Sequence, residues 1–144
     1  MGVATMGKVL VPAKIENLSD VYDAEQGRLS ADNVRSVDVP DALVDTGASG
    51  LSMPLRLIQQ LGLRPLRTRR IRTAGGSIDA QMYGAVRLSV QDRFCFCDVL
   101  EVPADCPVLI GQVPLEAMDF VVDPIKQRLI GNPEHNGEWM SDVF

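Results

Sequence analysis

The strongest constraint on the fold is a series of short segments in which apolar and polar residues alternate. In the first, KVLVPAKIENL, every second residue falls on one face of an extended strand, and Pro12 indicates a sheet edge. Further strands are predicted in VRSVDVPDALVDTG, in FCFCDVLEV and around Asp123-Pro124. A hairpin turning at Gly75-Gly76 is predicted from positions 66–90, because paired glycines suit a tight turn. The chain is therefore predicted to be mainly β.

Two segments with helical spacing interrupt these strands. In SMPLRLIQQLGL the residues Leu55, Ile58 and Leu61 share a helix face, and Gly62 is a suitable end. QVPLEAMDF predicts a second short helix, whereas NLSDVYDAEQGRLSADN is interpreted as hairpin and loop. At 144 residues the chain is predicted to form one domain, 1–144, with a core at about 8–130 and a C-terminal tail at 131–144.

Composition narrows the possible functions. The formal charge of −5 argues against a nucleic-acid partner, which favours a basic face. No apolar run approaches the roughly 18 residues of a membrane helix, and the start lacks a secretory pattern, so no membrane contact and a cytoplasmic location are expected. Cys95, Cys97 and Cys106 are interpreted as free thiols. The single histidine, His135, lies far from them in sequence, so no metal is expected, and no organic cofactor is implied.

One aspartate stands in an unusual position. In ALVDTGASG, residues 42–50, Asp45 follows a buried-looking apolar run and precedes small residues. Asp45 could simply accept hydrogen bonds from the backbone of the turn. A phosphate-binding loop is a second reading, but the chain is short for the folds that carry one, and nothing in it resembles a Walker-type lysine motif.

Three motifs in order and spacing make the chain resemble retropepsin-type aspartic proteases, the single-lobed relatives of pepsin. The resemblance runs from about Lys8 to Ile130 and implies a single-lobed, closed β-barrel acid-protease fold with two short helices. The motifs correspond to the family's catalytic loop, its flap and its second signature. They are Asp45, Thr46, Gly47 and Ala48; Ala74, Gly75 and Gly76; and Leu109, Ile110 and Gly111.

The resemblance implies that Asp45 is catalytic. Such enzymes activate water between two carboxylates that share one proton. The chain has one Asp-Thr-Gly loop, so the second carboxylate is expected from another copy in a homodimer, with Thr46 hydrogen-bonded across to the partner loop. The expected substrate is an extended peptide or protein segment, cleaved at weakly acid to neutral pH. Two alternatives stay open: a catalytically silent dimerisation or peptide-binding module, and a precursor that needs N-terminal processing.

The chain also departs from this pattern. Many viral relatives carry an aspartate after the catalytic loop and an arginine after the second signature, where this chain has Ser49 and Gln112. A run of arginines at positions 64–72 has two readings. It could favour acidic substrates under the flap, or it could be a solvated outer strand, which is the reading favoured here. Tyr83 is interpreted as strand packing, and the segment with His135 and Trp139 as a mobile end or part of a dimer interface.

Overall fold

Strands make up most of the regular structure in residues 8–143, the part of the chain that the computed structural model describes. Three α-helices and two 3-10 turns, Ala31–Asn33 and Pro133–His135, accompany them in this part. The elements are β1 (Val9–Asn17), α1 (Leu18–Glu25), β2 (Ser36–Val44), β3 (Leu51–Pro54), α2 (Leu55–Leu61), β4 (Arg64–Thr73), β5 (Gly76–Val90), β6 (Arg93–Val102), β7 (Leu109–Ile110), α3 (Gln112–Ala117), β8 (Phe120–Asp123) and β9 (Arg128–Gly131).

Six of the strands pair in a closed ring. The order is β1-β2-β7-β3-β6-β5, and β5 pairs again with β1, whereas β4 pairs only with β5 and projects from the ring. Glu16 and Arg87 lie opposite each other where β1 meets β5, and the Arg87 guanidinium donates to Glu16 Oε1 at 3.0 Å. Closure leaves the ring itself without open edges. The prediction of a mainly β, closed single-lobed barrel is confirmed.

The period-two pattern of the sequence determines which side chains fill the barrel. Along β1, Val9, Val11, Ala13 and Ile15 are buried, as the alternation predicts. Burying an aliphatic side chain of this kind stabilises a fold by about 1.5–3 kcal/mol. Pro12 lies at an irregularity in the β1–β2 register, beyond the stretch of β1 that pairs with β5. It therefore occupies a local edge, where its missing N–H leaves no gap in the ladder.

The structure has three α-helices in its described part, where the sequence pattern predicts two. The additional one is α1, in the segment interpreted as hairpin and loop. Asn17 caps it, because its side chain accepts from the Asp20 N–H at 3.1 Å and donates to the Leu61 carbonyl at 2.9 Å. Only Asp20 and Val21 of this helix are buried, so apolar periodicity is nearly absent. Asn17, a residue type favoured at helix N-caps, was therefore the feature of the sequence that could have predicted this helix.

An ion pair ties α1 to the chain leading into β2. The buried Asp20 carboxylate accepts from Arg35 Nε at 2.8 Å, from Arg35 Nη2 at 3.0 Å and from the Arg35 backbone N–H at 3.0 Å. The hydrogen bond from the Arg35 side chain holds the pKa of Asp20 below its usual value. This contact positions the start of β2, the strand that leads into Asp45.

The segment expected to be a tail from residue 131 is packed against the barrel over part of its length. His135 is buried, with Nδ1 2.6 Å from Asp119 Oδ2 and Nε2 3.1 Å from Asp142 Oδ2. The buried Arg93 donates to the Met118 and Asp119 carbonyls and to the Gly137 carbonyl. The single histidine thus docks the end of the chain, which polar composition alone did not indicate.

Candidate active site

Asp45 stands where β2 leaves the sheet. The preceding residues Leu43 and Val44 pair in parallel with Leu109 and Ile110 of β7. The Asp45 N–H then donates to the Ile110 carbonyl at 2.9 Å, which fixes the backbone at the last point of the strand. The residue is half-buried. Its carboxylate therefore extends from the end of an inner strand of the barrel.

The turn after Asp45 holds one carboxylate oxygen. The Gly47 N–H donates to Asp45 Oδ1 at 2.9 Å, and the Ala48 N–H donates to the Asp45 carbonyl at 3.1 Å. A Cβ on Gly47 would lie 3.2 Å from Oδ1, so a larger residue would crowd this contact. Within residues 8–143, Asp45 Oδ2 has no hydrogen bond or ion pair. Asp45 Oδ1 thus makes the contact with the turn backbone that a purely structural aspartate would make. Asp45 Oδ2 remains available to bind a group from outside the described residues.

Gly111 brings the second signature against this loop. Its N–H donates to the Gly50 carbonyl at 2.9 Å, and the next N–H, from Gln112, donates to the Ala48 carbonyl at 2.8 Å. A Cβ at Gly111 would lie 2.6 Å from the Ala48 oxygen and 2.7 Å from the Gly50 nitrogen, which are backbone atoms that cannot rotate away. Only glycine fits this approach. The structure therefore joins two motifs that are more than sixty positions apart in the sequence.

The remaining loop residues make few contacts inside the chain. Thr46 is exposed, and its hydroxyl has no partner in the described part of the chain. Ser49 is exposed, and the Gln112 side chain donates to Glu116 Oε1 at 2.9 Å. Where viral relatives have a charged pair, this chain thus has two neutral side chains, which form no hydrogen bond with each other among residues 8–143.

The hairpin tip forms where it was expected. Thr73 and Gly76 close the β4–β5 ladder, with Ala74 and Gly75 between them. Thr73 Oγ1 donates to the Gly76 carbonyl at 2.8 Å and accepts from the Gly75 N–H at 3.2 Å. Gly76 has φ +117°, a conformation that L side chains rarely adopt. The tip residues Ala74, Gly75 and Gly76 are not among those that line the cleft described next.

A cleft of about 390 Å³ separates the loop after Asp45 from the middle of the hairpin. Gly47 and Ala48 line one wall, and residues 69–72 of β4 line the other. Its lining also includes Met82, on β5, and two β6 residues, Asp98 and Leu100. Sequence reasoning missed Met82, Asp98 and Leu100 as site residues, because only the pairing of β5 with β6, in which Met82 lies opposite Leu100, brings these strands together at the cleft.

Other polar groups near the barrel have structural partners. The Tyr83 hydroxyl donates to Glu101 at 2.8 Å, and this hydrogen bond, together with burial, raises the pKa of Tyr83. Cys95 and Cys97 are free and lie on one face of β6, where their mutual hydrogen bond and burial raise the pKa of Cys97. No group of three His, Cys, Asp or Glu side chains among residues 8–143 is arranged to hold a metal ion.

A closed single-lobed barrel with an Asp-Thr-Gly turn at the end of an inner strand, braced by an Ile-Gly segment, defines a retropepsin-like protein. The model of the aspartyl protease family matches residues 32–124, well over half of the 144 residues. This chain belongs to the aspartyl protease family. The matched stretch includes all three motifs found in the sequence.

Among solved structures, the chain is similar to the solution structure of the protease of simian foamy virus (mac). The two share 21% identity over 74% of this chain and 91% of the viral one, with a TM-score of 0.46. No curated protein matches the chain. In the described residues, no helix has the length and apolar character needed to cross a membrane.

Proposed function

We propose that this protein is an aspartic endopeptidase in which the Asp45 carboxylates of two identical chains activate a water molecule. The observation that carries the proposal is the arrangement of Asp45. One carboxylate oxygen is fixed by the Gly47 N–H, while the other has no partner in residues 8–143 and the loop borders a cleft. Family membership supports the same reaction class.

The chemistry requires a pair of carboxylates. Two carboxylates close together hold one proton between them, since both cannot ionise at once. The ionised member takes a proton from water as the water oxygen bonds to the peptide carbonyl carbon, and the protonated member donates to the carbonyl oxygen. When the tetrahedral intermediate collapses, the C–N bond breaks and the leaving amine takes the proton of one carboxyl group. A hydroxyl of the intermediate gives its proton to the other carboxylate, which forms the product acid and restores the pair with one shared proton. The pair titrates as a unit.

The homodimer follows from the number of available loops. The 144 residues contain one Asp-Thr-Gly sequence, so a two-fold axis through the Asp45 loop supplies the second carboxylate. The exposed Thr46 hydroxyl, which has no partner within residues 8–143, is suited to a hydrogen bond across that axis. The three free cysteines are consistent with a reducing compartment such as the cytoplasm.

The substrate is proposed to be an extended peptide or protein segment bound between the Asp45 loop and the β4–β5 hairpin. β4 pairs only with β5, so its other edge offers unpaired backbone groups to a peptide strand. Gly75 and Gly76 at the tip are proposed to close over the peptide. Neither a metal nor a cofactor is needed for this reaction.

A second candidate keeps the fold without catalysis. The Gly47 N–H bond to Asp45 Oδ1 is a contact that a purely structural aspartate would also make. In that case the domain would bind peptides or a second copy and hydrolyse nothing.

The deciding experiment is cleavage of a degenerate peptide library from acid to neutral pH by wild type, Asp45→Asn and the control Asp41→Asn. Asp41 is exposed on β2, the strand that precedes Asp45. Its substitution by Asn also removes one negative charge, but at a position outside the Asp45 loop. We expect cleavage by wild type and Asp41→Asn, and a loss of at least about 1,000-fold for Asp45→Asn, which cannot carry the shared charge.

Other outcomes separate the alternatives. Equal cleavage by all three proteins would mean a contaminating protease and would remove Asp45 from the mechanism. No cleavage by any of them, with a dimeric mass in sedimentation, would favour the silent module. Activity that appears only after the purified chain loses mass at its N-terminus would identify a precursor.

A further inference from the structure

We propose that Arg69 makes the substrate cleft selective for peptides with an acidic side chain in the segment that lies beneath the hairpin. The inference rests on the proposed protease function and adds the substrate class. It arises from how the sheet distributes the five arginines of β4, which are Arg64, Arg67, Arg69, Arg70 and Arg72.

The strand register assigns these arginines to two faces. Residues directly opposite in an antiparallel pair point to the same face of the sheet. Arg69 lies opposite the buried Ala80. Two residues earlier on the same face of β4, Arg67 lies opposite Met82. Met82 lines the cleft, so the face that carries Arg69 is the cleft face.

The neighbouring arginine has a different environment. Arg70 also lines the cleft, but it lies opposite Asp79 on the other face of the strand pair, and Arg70 Nη1 is 3.4 Å from Asp79 Oδ1. The solvated-strand reading of the arginine run therefore describes Arg70 well. Arg69 is exposed as well, but it shares the face of the strand pair that carries Met82, so its guanidinium is placed to meet a ligand in the cleft.

Arg69 has no internal counterion. It forms no hydrogen bond or ion pair in residues 8–143, whereas Arg35 and Arg87 each bind a carboxylate. The acidic side chain that lines the same cleft is Asp98, which is exposed and is likewise without a hydrogen bond or ion pair in the described residues. The Asp45 pair would add negative charge at one end of the cleft. Arg72 also lines the cleft without a hydrogen bond or ion pair in the described residues, but it lies opposite Ser77 on the other face of the strand pair. On the face that carries Met82, an incoming carboxylate is thus favoured where it reaches Arg69.

The surroundings strengthen such a contact. Ile71, Met82 and Leu100 supply apolar surface to the cleft, which lowers the local dielectric and reduces competition from water. A guanidinium can bind a carboxylate through two parallel N–H donors, a geometry that an amide or ammonium group cannot match. The net charge of −5 repels acidic peptides at long range, so any preference for them must arise from this local contact.

The test uses matched peptides that differ at one position. A peptide cleaved by the wild type is made with Glu, Gln or Lys at each position near the scissile bond. These peptides are assayed with wild type, Arg69→Gln and Arg64→Gln. Arg64 is an exposed arginine on the same strand, outside the cleft lining and without a partner in the described residues, so its variant is the matched control.

We expect the wild type to cleave the best-placed Glu peptide about five- to tenfold more efficiently than its Gln counterpart, mainly through a lower KM. Arg69→Gln should reduce this ratio to below about twofold, mainly by raising the KM of the Glu peptide, and Arg64→Gln should keep the ratio. Added salt should weaken the wild-type preference, since the contact is partly exposed.

The inference is overturned if the wild type cleaves Glu and Gln peptides equally, or if Arg64→Gln loses the preference as Arg69→Gln does. A parallel binding assay with fluorescent Glu and Gln peptides on the Asp45→Asn protein separates the two proposals. Asp45-dependent cleavage without a charge preference refutes this inference alone. Arg69-dependent binding of Glu peptides without any cleavage refutes the protease and leaves the acidic-peptide site standing. No cleavage and no selective binding refutes both.

Discussion

At the scale of single residues, the candidate site depends on positions where a side chain would not fit. Gly111 approaches the backbone of Ala48 and Gly50 too closely for any Cβ. Gly50 itself faces open space, since a methyl group added there would have no atom within 4 Å. These two glycines belong to the same contact, yet only one of them is required to be glycine. This difference cannot be read from the sequence, because it depends on where a Cβ attached to each glycine would point in the folded chain.

We predict that Gly111→Ala lowers the free energy of unfolding by about 1–3 kcal/mol, because the methyl group must displace the Ala48 carbonyl and strain the loop. It should also reduce peptide cleavage, since the same loop carries Asp45. Urea denaturation measures the stability change. The control Gly50→Ala should leave stability within about 0.5 kcal/mol of wild type. Similar losses for both variants would contradict the role assigned to the close approach.

At the scale of secondary-structure elements, α1 shows how a polar segment becomes ordered. Its helix has little apolar surface, and it is held instead by the Asn17 cap and by the Asp20–Arg35 ion pair. The ion pair joins the helix to the residue that directly precedes β2. The helix thus stabilises the strand that presents Asp45.

We predict that Asp20→Asn destabilises the protein at neutral pH and that the difference from wild type shrinks in acid. Arg35 depresses the pKa of Asp20, so the stabilisation is present above the unfolded-state value of about 3.9 and is lost as pH falls through the lower folded-state pKa. Urea denaturation at several pH values measures this difference.

The matched control for Asp20 is Asp23→Asn in the same helix. Asp23 pairs with Arg28 at 3.4 Å, but both side chains are largely exposed, and exposed pairs contribute little. We therefore expect almost no change from Asp23→Asn at any pH. A pH-independent loss in Asp20→Asn would mean that the ionised carboxylate is not what stabilises α1.

At the scale of the whole molecule, the C-terminal segment closes over the barrel through His135. Burial raises the pKa of Asp119, but hydrogen bonds from His135, Asn132 and the Met140 N–H outweigh it and bring that pKa below its usual value. The hydrogen bond to Asp119, with a further one to Asp142, raises the pKa of His135. The charged pair therefore persists between the two shifted pKa values.

We predict that this segment is docked most firmly from mildly acid to neutral pH. The contribution of His135 is fully present below its unfolded-state pKa of about 6.5 and is lost as pH rises through its higher folded-state pKa. The contribution of Asp119 is lost as pH falls through its depressed pKa. Because the chain has one histidine, an imidazole NMR titration reports this group alone.

The variant His135→Asn tests the assignment. It should flatten the alkaline part of the stability profile, since no other histidine can titrate there. If wild type and His135→Asn lose stability in parallel as pH rises, another group is responsible.

Much of the fold could be predicted from the sequence because the signals are local. Alternation of period two set the buried face of β1, and Gly62 and Gly76 adopt the positive φ values, +65° and +117°, that end α2 and turn the hairpin. The Asp-Thr-Gly turn is also local, since Gly47 bonds to a side chain two positions earlier. Each of these features depends on neighbours within a few residues.

Tertiary structure decided what depends on distant partners. α1 needed Arg35 and the Leu61 carbonyl, and the docking of His135 needed Asp119. The face of Arg69 follows from one choice of register between β4 and β5, because a shift by one residue would turn the guanidinium outward. The sequence by itself thus determined the strands, the turns and the aspartate that follows β2. Only the closed barrel, which pairs residues far apart along the chain, decided which side chains surround that aspartate.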